Sequence, residues 1–285
     1  MSTVLHDAGR STDALRLVDN TDWLKTTAII LACVDHFGHF FADDDRWWAV
    51  FGRLAAPAFF FLMGYAHTHR VPLHWIWLGI ILTLLNSWNA GWTWVAPNIL
   101  LSLALIRLAR PYMEALVQRH GWSALVLLAG AFVALLPIAA NMVDYGSEGW
   151  LWALFGLCQR RWVDRTSAPR ESTGGSSAEA KSVAQPVRST ENAMRLFACV
   201  VAVIVYVWQE QKEFGFPRVH FTVFVVAVAA LSLALCLFRR GVSPIQPPPL
   251  MAAPLCFIGR HTLEIYALQL AGSELIVKLL PELAA

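Results

Sequence analysis

Apolar runs long enough to cross a lipid bilayer recur along almost the whole chain, and they limit the possible folds more than any other feature. A spanning helix takes about 20 mostly apolar residues. Such runs fall at residues 23–41, 48–66, 72–87, 92–109, 122–142, 148–159, 193–209, 219–238 and 252–272, the third and sixth being short. A bilayer core offers no water to exposed backbone N–H and C=O groups, so runs of this kind fold as helices packed side by side. The expectation is an all-α fold, a polytopic transmembrane helix bundle of about nine spans, with eight or ten as alternatives. Composition agrees: apolar residues make up 57% of the chain and charged residues 15%, against about 25% charged in a soluble domain. Trp23, Trp47, Trp48, Trp88, Trp92, Trp94, Trp150 and Trp152 lie at the ends of these runs, the level where amphipathic indoles settle.

The chain divides into a tail (1–20), a first part of the bundle (21–162), a loop (163–192) and a second part (193–280). The tail carries Asp7, Arg10, Asp13, Arg16 and Asp19 without an apolar core, which excludes a cleaved signal peptide and marks it as mobile. The stretch Thr166–Asn192 is rich in Ser, Thr, Gly, Ala and charge, so it is expected to be disordered. The five cysteines are scattered singly and form neither a disulfide framework nor a metal-ligand spacing. Lys and Arg collect on alternate connections, among them Arg70, Arg107, Arg110, Arg160, Arg161, Arg239 and Arg240. The other side holds Arg46, Lys212, Arg218 and Lys278 among acidic residues such as Asp43, Asp44, Asp45, Asp144 and Glu148. Positive charge favours the cytoplasm, so the N-terminus is expected inside and the C-terminus outside.

Ionisable groups within a span cost roughly 2.5–3.5 kcal/mol on insertion scales and point to function. Asp35, His36 and His39 lie in the second half of the first span, and Arg53 lies in the first half of the second. His36 and Arg53 are each about 8 or 9 residues from the connecting turn, which puts both about 12 Å below the outer rim. Asn98 enters the fourth span from the same side at a similar depth. Asp35 and His39 share a helix face, whereas His36 points about 100° away and must find its partner on another helix. This layer is either a proton-transfer site or an Asp35–Arg53 ion pair that fixes packing.

The last span carries Gly259-Arg260-His261-Thr262-Leu263-Glu264-Ile265-Tyr266, in which Arg260 and Glu264 are spaced to pair along one helix. They either neutralise one another or line a cavity, with Glu264 about 20 Å from the inner face. At the inner end of the second and third spans, His67-Thr68-His69-Arg70 is either a solvated loop or a phosphate contact at Arg70. Pro57, Pro97 and Pro137 fall within expected spans and should kink or break them.

Leu24-Lys25-Thr26-Thr27-Ala28 followed by Val34-Asp35-His36, then Gly52-Arg53-Leu54-Ala55-Ala56-Pro57-Ala58-Phe59 and Asn98-Ile99-Leu100, resemble the signature of the TraX family of F-pilin acetylases. Gly259–Tyr266 is similar to the closing motif of related members. The resemblance implies an acetyltransferase of the bacterial inner membrane that takes acetyl-CoA as co-substrate and acetylates the N-terminal amine of a conjugative pilin. It also implies distant kinship with multi-span membrane acyltransferases. Asp35, His36 and Arg53 would be catalytic and Asn98, Arg260, His261 and Glu264 would bind substrate, with His69 and Arg70 toward the cofactor. His39 falls outside the motif. The implied partners are membrane lipid, the acyl donor and a membrane-associated acceptor, with no metal and no nucleic acid. Two other classes remain open. A proton-coupled transporter or lipid-linked exporter would show internal pseudo-symmetry, and none is evident. A non-catalytic assembly subunit would leave the buried polar layer without a purpose.

Overall fold

In a computed structural model of the protein, residues 17–42, 45–139, 142–167 and 177–280 are described, and no strand occurs among them. The elements are α1 (Asn20–Phe41), α2 (Arg46–Gly52), α3 (Ala55–Tyr65), α4 (Leu73–Asn89), α5 (Ile99–His120), α6 (Trp122–Ala139), α7 (Glu148–Ser167), α8 (Ser177–Phe214), α9 (Arg218–Leu237), α10 (Pro249–Arg260) and α11 (Thr262–Leu279). The end where α1 begins corresponds to the inner side of the charge reading; the opposite end is the outer one.

Asp19 starts α1 through a capping box, accepting from the Asp22 N–H at 2.7 Å while Asp22 accepts from the Asp19 N–H. Val18 is fully buried, and its carbonyl accepts from the Ser243 N–H at 3.0 Å. The expected mobile tail is therefore docked at residues 17–20; the rest of it lies outside the described residues.

At the centre stands α3, every residue of which is buried. It packs closely on α7, where a Cβ on Gly64 would come within 1.8 Å of the Ala153 carbonyl oxygen. Only a residue without a side chain allows that approach. By contrast, α6 and α9 turn Leu127, Val226, Leu233 and Leu237 outward, each more than half exposed. Apolar faces of this kind belong against lipid.

Among the described residues, four helical stretches are long and apolar enough to cross a membrane: Arg46–Tyr65, Trp122–Ala139, Ser189–Phe214 and Arg218–Leu237. Other long helices fall short of that apolarity for a physical reason. Polar groups along the cavities and inner rim belong to α1, α5, α7 and α11, among them His36, Arg107, Arg160 and Glu264.

Several expected spans change shape. The run 48–66 is interrupted between α2 and α3, where the Leu54 N–H turns back to Phe51 O in a tighter bond. Pro57, in the first turn of α3, has no N–H for the carbonyl of Arg53, and the Tyr206 hydroxyl donates to that oxygen instead at 2.6 Å. The fourth span begins at Ile99 rather than residue 92, because Gly91 and Trp92 take left-handed turns and Pro97 precedes the cap Asn98. The run 252–272 is two helices that meet at His261.

The expected disordered loop also differs. α7 continues to Ser167 and α8 is already helical at Ser177, leaving residues 168–176 outside the described ones. Ala178, Glu179, Ala180, Lys181 and Gln185 are good helix formers, and extending a helix already nucleated by a span costs little. Glu191, within the same stretch, is buried against Arg161 at 2.9 Å and Arg165 at 3.3 Å.

Candidate functional site

A cavity of about 450 Å³ lies at the outer end, walled by α1, the α2–α3 junction, the starts of α2 and α5, the turn at Asp144, the end of α8 and α11. Asp35, His36, Arg53 and Asn98 all line it, as does His39. Gly52 makes the meeting possible. A Cβ there would fall 2.4 Å from the Asp35 Cα, so the second helix turns against α1 only with glycine at that position. The next residue, Arg53, then lies beside the Asp35 carboxylate.

His36 takes its partner from α11: Nδ1 is 2.6 Å from the Gln269 amide oxygen, and the Tyr266 ring lies 5.3 Å away. An amide oxygen only accepts, so Nδ1 carries the proton and Nε2 of the neutral ring keeps its lone pair. That tautomer is the one a general base needs. Arg53 is held from several sides. It donates to the Tyr145 hydroxyl at 2.8 Å and to Glu213 at 3.3 Å, and its Nε stands 3.7 Å from Asp35 and 3.6 Å from Glu210. Phe214 packs on the guanidinium face at 4.5 Å. With its fork so engaged, Arg53 balances and orients carboxylates.

Asn98 caps α5 with its amide oxygen, accepting from the Leu100 N–H at 3.1 Å, which leaves its NH₂ group toward Tyr266. Asp144, in the turn before α7, accepts from the Ile99 N–H at the same helix start. Burial, only partly offset by Arg53 and reinforced by Glu213 and Asp35, pushes the Asp144 carboxyl up to about 6.

The other expected site residues gather elsewhere. A second cavity, of about 340 Å³, lies at the inner end and is lined by Lys25, His67, Arg107, Arg240, Arg260 and Glu264. Arg260 and Glu264 do not pair along one helix, because the break at His261 separates them. Glu264 falls in the first turn of α11, far from the depth expected of an unbroken span, and meets His74 at 3.0 Å. His261 is exposed, its ring tilted against Phe257 with centroids 4.7 Å apart. His69 and Arg70 are exposed and line neither cavity; His67 and Thr68 of the same loop line the inner one. These two positions face inward because the loop returns toward Arg107, which donates to the Thr68 hydroxyl.

Residue patterns alone missed Glu210, Glu213, Asp144, Gln269 and Tyr266. Glu210 and Glu213 lie just beyond the expected end of the seventh span and so read as loop acids. Their i, i+3 spacing was the available signal, since α8 continues to Phe214 and presents both to Arg53. Gln269 is a neutral residue in an apolar helix and carries no signal until His36 is seen beside it.

Apolar helices long enough to cross a membrane, with histidine, carboxylates and a guanidinium gathered in one cavity of the bundle, are the features of a membrane protein with a polar site among its helices. The chain belongs to the TraX family, whose sequence model, TraX protein, matches residues 20–174, more than half of the chain. A Protein TraX of Escherichia coli is 28% identical over 151 residues, covering 50% of this chain and 58% of its own length. Another Protein TraX, of Escherichia coli strain K12, is 27% identical over 106 residues, covering 35% of this chain and 42% of its own length. The uncharacterized protein RP591 of Rickettsia prowazekii (strain Madrid E) is 26% identical over 126 residues, covering 44% and 50%. The chain thus matches about half the length of these curated relatives. No solved structure matches significantly. The matched region holds Asp35, His36, Arg53, Asn98 and Asp144 but ends before Glu210, Glu213 and Gln269.

Proposed function

We propose that this chain is an acetyltransferase of the bacterial inner membrane, acetylating a primary amine at the outer side with acetyl groups from cytoplasmic acetyl-CoA. In this reading nine passes cross the bilayer: α1, α2 with α3, α4, α5, α6, α7, α8, α9 and α11. α1 starts at the cytoplasmic face, α11 ends at the periplasmic face, and α10 lies at the inner surface. The acceptor implied by the TraX resemblance is the N-terminal amine of a pilin.

One observation carries the proposal: His36, Asp35, Arg53 and Asn98, from three separate stretches of sequence, line one cavity, with His36 Nδ1 held 2.6 Å from the Gln269 amide oxygen. The acceptor nitrogen attacks the thioester carbonyl, the C–S bond breaks, and the amine proton passes to His36 Nε2 and then to the departing thiolate. The Asn98 NH₂, fixed because its oxygen caps α5, donates to the oxyanion as it develops. Asp35 and Arg53 hold the wall around these groups and keep its charge balanced.

The test is direct. Purified protein in detergent, supplied with acetyl-CoA radiolabelled in the acetyl group and a peptide bearing a free N-terminus, should transfer label to the peptide amine. A monodisperse, folded preparation that labels no amine acceptor would overturn the reading.

A further inference from the structure

The inner cavity holds more positive charge than the fold uses. At the same end of the bundle, Arg110, Arg160, Arg161 and Arg165 each lie within 4.0 Å of a carboxylate, on Glu114, Asp164 or Glu191. Lys25, Arg107, Arg240 and Arg260, which line the cavity, take part in no salt bridge among the described residues. Lys25 donates to the Gly259 carbonyl at 2.9 Å, and Arg107 lies over the Trp75 ring at 4.8 Å with its Nε buried and unpartnered. The carboxylate in the lining, Glu264, is turned to His74. Asp19 and Asp22 lie within electrostatic reach of Lys25 but are bound into the α1 cap.

Four cations around one small cavity call for a ligand of several negative charges with oxygens for guanidinium forks, which is the chemistry of phosphate groups. Arg240 and Arg260 are exposed at the mouth, and Phe59, Leu62, Met63 and Leu263 give the cavity an apolar side. That side leads toward the outer cavity. Leu263 lines the inner cavity and Tyr266 the outer one, about one helical turn apart. Phe59 meets Tyr266 between them, ring centroids 6.5 Å apart.

We propose that the inner cavity is a phosphate-binding site that holds the phosphorylated end of the acyl donor, whose uncharged arm passes Phe59 and Tyr266 toward His36. The ligand's identity rests on the acetyl-transfer reading; the affinity for phosphate rests on the four cations alone.

The experiment measures equilibrium binding of radiolabelled coenzyme A to the full chain in nanodiscs of zwitterionic lipid, so that binding is read without any transfer. Arg240→Gln and Arg260→Gln change exposed side chains at the mouth and leave the packed bundle intact, and Arg107→Lys keeps the buried charge. The parent should bind. Arg240→Gln with Arg260→Gln should weaken binding about tenfold or more, the loss of charge-assisted contacts. Arg107→Lys should fall between the parent and Arg107→Gln, while His36→Ala should bind as the parent does. Unchanged affinity in the double variant would overturn the site and leave the transfer reading standing. Added phosphatidylglycerol serves as the competing arm: a parent that retains this lipid and takes no coenzyme A would overturn the donor assignment.

Discussion

His36 and Arg53 share a cavity wall, yet their partners leave them very different freedom. One ring nitrogen of His36 is fixed by Gln269 and the other is left for chemistry, whereas both terminal nitrogens of Arg53 already donate. His36→Ala should therefore lower acetyl transfer by about 10²–10⁴-fold, the usual cost of a lost acid–base group. His39→Asn, on the next turn, should cost far less. Arg53→Lys keeps the charge without the fork, so its activity should lie between the parent and Arg53→Ala. Transfer rates on matched amounts of folded protein decide this; full transfer by His36→Ala would remove the proposed base. Asp144 gives a pH prediction. Its folded carboxyl titrates at about 6, above the unfolded value of about 3.9. The folded state thus holds a proton that the unfolded chain has released, and its stabilising contribution is present below pH about 4 and lost as pH rises through about 6. Thermal unfolding across that window should show a downward slope that Asp144→Asn flattens; equal slopes in the two proteins would refute it.

Between the residue and the bundle stands the α2–α3 junction, the element that brings the site together. Pro57 leaves the Arg53 carbonyl without its helical donor and Tyr206 of α8 replaces it. Tyr206→Phe should therefore strand a buried acceptor, at a cost of about 1–3 kcal/mol. Pro57→Ala restores an N–H to the helix, so the same Tyr206→Phe change should cost less in that background. Melting of the single and double variants in detergent gives the coupling; identical penalties in both backgrounds would show that the hydroxyl does not substitute for the missing helical bond. Apolar periodicity shows that a helix lies here and proline shows that it is disturbed, but the donor that repairs it comes from a helix about 150 residues later in the chain.

At the scale of the whole molecule, the proposed orientation puts Lys212 and Arg218 at the periplasmic face and Arg70 and Arg239 at the cytoplasmic face. All four are exposed. In a cysteine-free background, Lys212→Cys and Arg218→Cys should react with a membrane-impermeant maleimide in intact cells. Arg70→Cys and Arg239→Cys should react only after permeabilisation, and the reverse pattern would invert the topology. What the sequence determined by itself was the all-helical bundle, the membrane as its solvent, and the meeting of Asp35, His36, Arg53 and Asn98. Hydropathy and depth from a turn are one-dimensional quantities, and antiparallel helices of fixed rise carry them directly into space. Tertiary structure alone decided the partners. The break at His261 put Glu264 at the inner cavity instead of about 20 Å from the inner face, and the continuation of α8 brought Glu210 and Glu213 to Arg53. Gln269 reached His36, and four cations came to line the inner cavity without a salt bridge among the described residues. Each of these outcomes depends on which helices become neighbours, and packing between segments far apart in sequence sets that arrangement through contacts such as Gly52 on Asp35 and Gly64 on Ala153.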